Sequence, residues 1–345
     1  MRTTIKQLAC AAAVAATLAT ALPAHALVIN LTSTGNASAD AGFEAAANFW
    51  ESVFTDQVTV NITAGFSMLG ANILGEASST YLSTNFAAMK TALTNDQTSA
   101  DDATMVAGLP GGSTYSKYIN GTTDSPLASV RSGITSMEMT TANAKAIGLV
   151  AANSAGEDAE ITFSSLFNFD FDQSNGIGAG QYDFVGIAIH ELGHAMGFVS
   201  GVDWLDYNIG YTSAAFDPYA TLLDFTRCSS ASQAAGADMD WRIGEDAKDF
   251  AIDGNCTALV SNAWSTGVNE GDGRQASHWK DGLGIGIMDP TAVPTGQLNV
   301  VTARDIQAFD VIGWTQASTV PEPATLLLLA SGLLGIGAMR RKKGA

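Results

Sequence analysis

Phe184-Val185-Gly186-Ile187-Ala188-Ile189-His190-Glu191-Leu192-Gly193-His194-Ala195-Met196-Gly197-Phe198 is the stretch that decides the reading of this chain. Residues four apart on a helix share a face, so His190 and His194 can present two imidazole nitrogens to one ion. Glu191 cannot join them as a third ligand on that turn without distortion. It is placed to hold a water at the ion and take its proton. Asp183 suits the N-cap of such a helix, and Gly197 suits a left-handed ending that turns the chain beneath the metal. Taken alone, the five central residues also fit two hydrogen-bonded core histidines on a buried helix.

Gly197 and Phe198 extend the pattern to His-Glu-x-x-His-x-x-Gly-Phe. This resembles the metzincin branch of zinc metallopeptidases, and more narrowly the leishmanolysin-like enzymes and related secreted bacterial members. The commonest metzincin spacing has a third histidine three residues after the glycine, where this chain has Ser200. The chain's histidines are His25, His190, His194 and His278, and His25 lies in an export leader. His278, in Ser277-His278-Trp279-Lys280, is followed by Ile287-Met288-Asp289-Pro290. That order is similar to the delayed third histidine and Met-turn of leishmanolysin-like enzymes. Asp203 and Asp206 are the acidic alternatives for the third ligand. His278 is preferred, because neutral imidazole suits zinc and the Met-turn spacing agrees.

Both ends of the 345 residues read as addresses. Arg2 and Lys6 precede an apolar run, Leu8 to Leu22, closed by Ala24-His25-Ala26, so residues 1–26 are expected to be a signal peptide. Cys10 stands at the start of that run, which argues against a lipoprotein anchor. At the other end Val320-Pro321-Glu322-Pro323 leads into a short apolar stretch and then Arg340-Arg341-Lys342-Lys343. The stretch is slightly short for a bilayer span, and an ordinary C-terminal membrane anchor is the plain alternative. The three parts in order resemble a PEP-CTERM sorting signal over residues 320–345. That resemblance implies an exosortase-type processing partner, a transient hold in the inner membrane, and a Gram-negative cell surface or polysaccharide matrix as destination.

Between the ends lie roughly 295 residues, enough for one large two-lobed domain. The formal charge is −18, which disfavours nucleic acid and anionic lipid as partners. Such acidity tolerates calcium without assigning a site to it. Cys228 and Cys256 remain as an even pair in an oxidising compartment, and a disulfide is expected.

Along the chain, residues 27 to about 40 read as loose after a short apolar start. Phe43 to Phe54 has helical spacing, and Gln57 to Thr63 alternates as a strand open to solvent on one face. Phe86 to Leu93 and Ala100 to Val106 read as helices. The thirty residues after Pro110 read as surface loops. Ala142 to Ala151 is helical or extended. Ala159 to Phe163 reads as a strand and, by the metzincin resemblance, as the cleft edge that pairs with substrate; an internal strand is equally compatible. Gly176 to Gly180 lacks the endings of a nucleotide loop and reads as a flexible turn. Phe216 to Phe225 has an apolar helical face. Thr302 caps a last helix, Ala303 to Val311, with Asp305 at its third position.

The resemblance implies an α+β two-lobed zincin spanning residues 27–319. The upper lobe, about 27–198, would hold a twisted mixed sheet and the active-site helix; the lower lobe, about 199–316, an eighty-residue insertion and the Met-turn. It implies one zinc on His190, His194 and His278, Met288 as an apolar floor, and a zinc-activated water attacking peptide bonds of extracellular or surface proteins with Glu191 as general base. Tyr207, Tyr211 and Tyr219 are unassigned candidates for an oxyanion-stabilising side chain. A serine triad lacks a spare histidine, and a cysteine nucleophile would spend half of the disulfide. Two other classes stay open: a matrix-associated adhesive protein whose zinc is structural or inactive, and a metal hydrolase acting on cell-wall or polysaccharide bonds.

Overall fold

A computed structural model describes residues 27–317. The expected signal peptide lies outside the described residues, as does the apolar segment of the sorting tail. Among the described residues no helix is long and apolar enough to cross a membrane.

The chain forms a mixed α+β structure with several small sheets and no barrel. Its largest sheet has four strands in the order β1 (Val28–Leu31), β2 (Thr59–Ser67), β8 (Ala159–Ser164) and β3 (Gly75–Ser79). The first two pairings are parallel and the last is antiparallel. β8 is therefore internal, contrary to the expected cleft edge. β3 occupies that edge and packs on the helix that carries His190 and His194. β2 is internal too, so both of its long edges are hydrogen-bonded within the sheet.

The first helix, α1 (Ala37–Val53), starts earlier than its apolar spacing suggests, because the Asn36 side chain accepts from the amides of Ser38 and Ala39. That cap satisfies orphan N–H groups and extends the helix backwards. Phe43, Ala46, Ala47 and Trp50 form its buried stripe. The Phe43 ring lies 5.3 Å from Phe163 of β8 and 5.0 Å from Phe184, at the start of the helix that carries His190 and His194. Each such buried aromatic contributes on the order of 3 kcal/mol. A sheet strand, α1 and the histidine-bearing helix thus share one core.

The second strand pair, β4 (Tyr81–Asn85) with β7 (Ser136–Thr140), flanks α2 (Phe86–Asp96) and α3 (Ala100–Gly108) in the chain. The stretch read as surface loops instead holds β5 (Tyr115–Ile119), β6 (Ser129–Ile134) and β7. Cross-strand hydrogen bonding overrides their Ser/Thr/Gly composition. α4 (Thr141–Ala146) follows, and Lys145 is buried with its ammonium on Asp158 and on the carbonyls of Thr59 and Ser154. That network ties α4 to β2; removing either charge would strand the other in apolar surroundings.

After the histidine-bearing helix α5 (Phe184–Ala195) come α6 (Val202–Tyr207) and two short 3₁₀ turns, Ser213–Tyr219 and Leu223–Thr226. The expected helix over Phe216 to Phe225 is absent: Ala220 is extended, with φ −66° and ψ 138°, and separates the two 3₁₀ turns. Cys228 and Cys256 are bonded, with α7 (Ser230–Ala235) inside the closed loop. Closing a loop of this length limits the unfolded chain by roughly 3 kcal/mol. The last helix, α8 (Ala303–Asp310), begins at Thr302 with the expected reciprocal cap from Asp305.

Acidic groups gather where α8 ends against α3. Burial, with Asp102 and Asp101 nearby, raises the Asp310 carboxyl to about 6. The folded form therefore binds this proton more tightly than the unfolded chain does. Its contribution is favourable at low pH, declines as pH rises from about 4 through about 6, and stays unfavourable above. Asp310→Asn is expected to raise the melting temperature by roughly 3 °C at pH 8 and by much less at pH 4. Equal shifts at both pH values would contradict this.

Candidate metal centre

α5 is positioned before any ligand is considered. The Asp183 carboxylate caps it by accepting from the Gly186 amide at 3.0 Å. Two indoles grip its backbone: Trp50 donates to the Ile189 carbonyl at 3.0 Å and Trp314 to the Met196 carbonyl at 2.8 Å. At the C-terminal end Gly197 has φ +117°, and a Cβ there would lie 2.9 Å from the Asn143 side chain. Glycine answers both constraints. Its turn carries the Phe198 carbonyl back to His194, which it meets through Nδ1 at 2.7 Å.

The three histidines come together. Nε2 of His194 lies 3.1 Å from Nε2 of His190 and 3.1 Å from Nε2 of His278, and the remaining pair is 3.2 Å apart. Two come from adjacent turns of α5 and the third from 84 residues further along. Each Nδ1 faces a backbone carbonyl: Ile287 for His190 at 2.7 Å, Phe198 for His194, and Gln275 for His278 at 3.3 Å. A carbonyl only accepts, so Nδ1 carries the ring proton and Nε2 presents a lone pair. Three lone pairs then converge without a proton among them. Zinc–nitrogen bonds of about 2.0–2.1 Å in a tetrahedron set ligand nitrogens about 3.3 Å apart, so the donor set fits a zinc-sized cation. Burial lowers His190 to about 4 and His194 to about 3, the latter helped by His190, which keeps both in the neutral form that binds metal.

Among the described residues this is the group of three metal-binding side chains that converges on one point. Asp203 and Asp206, the acidic alternatives, are committed to backbone. Asp206 accepts from the amides of Val268, Asn269 and Glu270, and Asp203 from those of Ala276 and Ser277.

Glu191 is buried next to the first histidine, and burial, with Glu76 second, raises its carboxyl to about 8. β3 runs past it so closely that a Cβ on Gly75 would stand 3.0 Å from Oε1. Met288 is fully buried on the other side of the site. A Cβ on Gly193 would come within 2.7 Å of its sulfur, so the thioether lies against α5 one residue before His194. Tyr207 and Tyr211 are exposed, and Tyr219 packs on Trp204 with ring centres 5.2 Å apart. None of the three hydrogen-bonds to the histidines.

Sequence reasoning named Asp203 and Asp305 but missed the backbone contacts by which both shape the site. Asp305 was visible as a helix cap, yet it also accepts from the Ile287 and Met288 amides and from the Trp279 indole. Asp203 holds the residues just before His278. Neither contact has a local pattern, since each joins segments far apart in the chain.

Residues 319–342 match the PEP-CTERM protein-sorting motif. The motif is recognised by exosortase, and it marks the chain as an exported protein of a Gram-negative bacterium carrying a C-terminal sorting tail. No curated protein matches the chain, and no solved structure does.

Proposed function

We propose that this chain is a zinc-dependent endopeptidase of the metzincin type, acting on proteins outside the cytoplasm. The observation that carries the proposal is the meeting of three proton-free imidazole nitrogens, 3.1–3.2 Å apart, with a buried carboxylate in the adjoining helix position. His190, His194 and His278 would hold the ion. Zinc bound there supplies Lewis acidity toward water and toward a peptide carbonyl.

Glu191 is the proton carrier of this reading. It takes a proton from the attacking water and returns it to the leaving amine, one group serving both steps. Met288 keeps the underside of the imidazoles apolar and fixed. β3 is paired on one side only among the described residues, so its open edge can hydrogen-bond an extended substrate beside Glu191. The four-stranded sheet with α1 and α5 corresponds to the upper lobe of a zincin, and the segment from Val199 to the last helix corresponds to the lower lobe.

The second reading, a matrix-associated surface or adhesive protein with a structural zinc, is favoured by the sorting tail alone. A structural site needs no carboxylate at position 191. The test is metal analysis together with casein digestion. About one zinc per chain is expected, with hydrolysis that is lost on chelation and restored by zinc. Stoichiometric zinc without cleavage of casein or of a peptide library would support the structural reading.

A further inference from the structure

The third histidine reaches the site from an irregular segment, and something must fix its backbone. α5 fixes His190 and His194 by its own hydrogen bonds. His278 lies in no helix or long strand; its neighbour Trp279 makes an isolated bridge to Trp264 and donates its amide to the Met288 carbonyl at 2.9 Å. The residues ahead of it are instead held by charges. Asp203, on α6, uses both carboxylate oxygens on them: Oδ1 accepts from the Ala276 amide, and Oδ2 accepts from the Ser277 amide at 3.1 Å and from the Ser277 hydroxyl. The Ser277 oxygen in turn accepts from the Ser200 amide at 2.8 Å, just beyond the turn that ends α5. From the other side the buried Arg227 guanidinium donates to the Ala276 carbonyl at 3.3 Å and to the Ser265 carbonyl at 2.6 Å. Ser265 closes the frame, its amide donating to the carbonyl of His278 itself at 3.1 Å.

We propose that Asp203 is the positioning residue for the third metal ligand: by accepting from Ala276 and Ser277 it sets the backbone from which His278 reaches the ion, with Arg227 as its opposite jaw. This rests on the reading of the three histidines as metal ligands and adds to it the group that stations one of them. Asp203 touches neither ion nor substrate. It acts through Ser277, as carboxylates behind metal-bound side chains commonly do, and loss of such support typically weakens metal affinity by about 10- to 100-fold.

The test is the zinc affinity of the full chain, by competition with a chromophoric chelator, together with the visible spectrum of its cobalt form. Asp203→Asn keeps size but sets an amide N–H₂ against N–H groups already present. It is expected to weaken zinc about 10- to 100-fold and to shift the cobalt bands, with Asp203→Glu recovering part of the loss. Ser277→Ala, which deletes one hydroxyl, gives a smaller shift in the same direction and serves if Asp203→Asn does not fold. His278→Ala marks the full loss of the ligand. Wild-type affinity and an unchanged cobalt spectrum in both Asp203→Asn and Ser277→Ala, with affinity lost in His278→Ala, would overturn the positioning role and leave the metal centre standing. Wild-type affinity in His278→Ala would overturn the three-histidine reading and this proposal together.

Discussion

Glu191→Ala is expected to leave one zinc bound per chain and to lower peptide-bond hydrolysis by about 10²- to 10⁴-fold, the range by which a positioned proton carrier accelerates such reactions. Two effects would be separated by this variant. The imidazoles keep their backbone partners through Nδ1, so the donor set does not depend on the carboxylate. The proton route does depend on it, because Glu191 is the buried carboxylate beside the α5 ligands. Glu191→Gln keeps the volume next to Gly75 and should be nearly as slow as the alanine variant, which rules out loss of packing as the cause. Turnover should fall with little change in KM, since the group acts on the proton and not on substrate binding. Zinc content and initial rates on a quenched peptide check this together. A Glu191→Ala protein that digests casein at the wild-type rate would remove the proposed mechanism.

Asp305→Ala is expected to cost on the order of 4 kcal/mol of stability. The carboxylate is wholly buried and collects the Ile287, Met288 and Thr302 amides and the Trp279 indole, at 2.7 to 3.3 Å. Removing it strands several donors in a place water does not reach, and each orphan carries a penalty of about 1–3 kcal/mol. The approach is so close that a Cβ on Gly286 would fall 2.0 Å from its oxygen, so glycine there is part of the same arrangement. Because Ile287 also presents its carbonyl to His190, the damage should spread to the metal centre and weaken zinc binding. Asp305→Asn retains one acceptor oxygen and should lose roughly half as much. Urea unfolding of the three proteins in zinc buffer gives the comparison. A cost near 1 kcal/mol for the alanine variant would show that the segment holds itself.

The helix α5 was legible because several local signals agree over fifteen residues: an acidic cap, an apolar run, histidines four apart and a glycine that ends the turn. His278 was legible through scarcity, there being few histidines to choose from. The meeting of the three histidines was easier to read than the scaffold. β3, Gly75-Glu76-Ala77-Ser78-Ser79, has no branched or aromatic side chain to announce a strand, and it exists because β8 offers it a partner. β5 and β6 do carry Tyr115, Tyr118, Ile119, Val130 and Ile134, but the Gly, Ser and Thr residues around them give the stretch a loop's composition. The apolar periodicity of Phe216 to Phe225 looks helical on paper, but the extended backbone of Ala220 divides it into two short turns. What sequence could not supply were carboxylates that bond distant backbone, such as Asp203 to Ala276. Such contacts depend on where two segments lie in space, and no spacing rule encodes them.

β3 carries a further implication. A strand with one unpaired side is open to any extended chain, and a second copy of the same protein is the nearest such chain in a crowded secretion. This edge is guarded by modest means: it spans five residues, bears the exposed acidic side chain of Glu76, and follows a loop in which Asn72 takes φ +68°. Brevity and negative charge discourage stacking between molecules while leaving room for one peptide at a time. Lengthening the strand or neutralising Glu76 would trade that restraint for a tendency to self-associate.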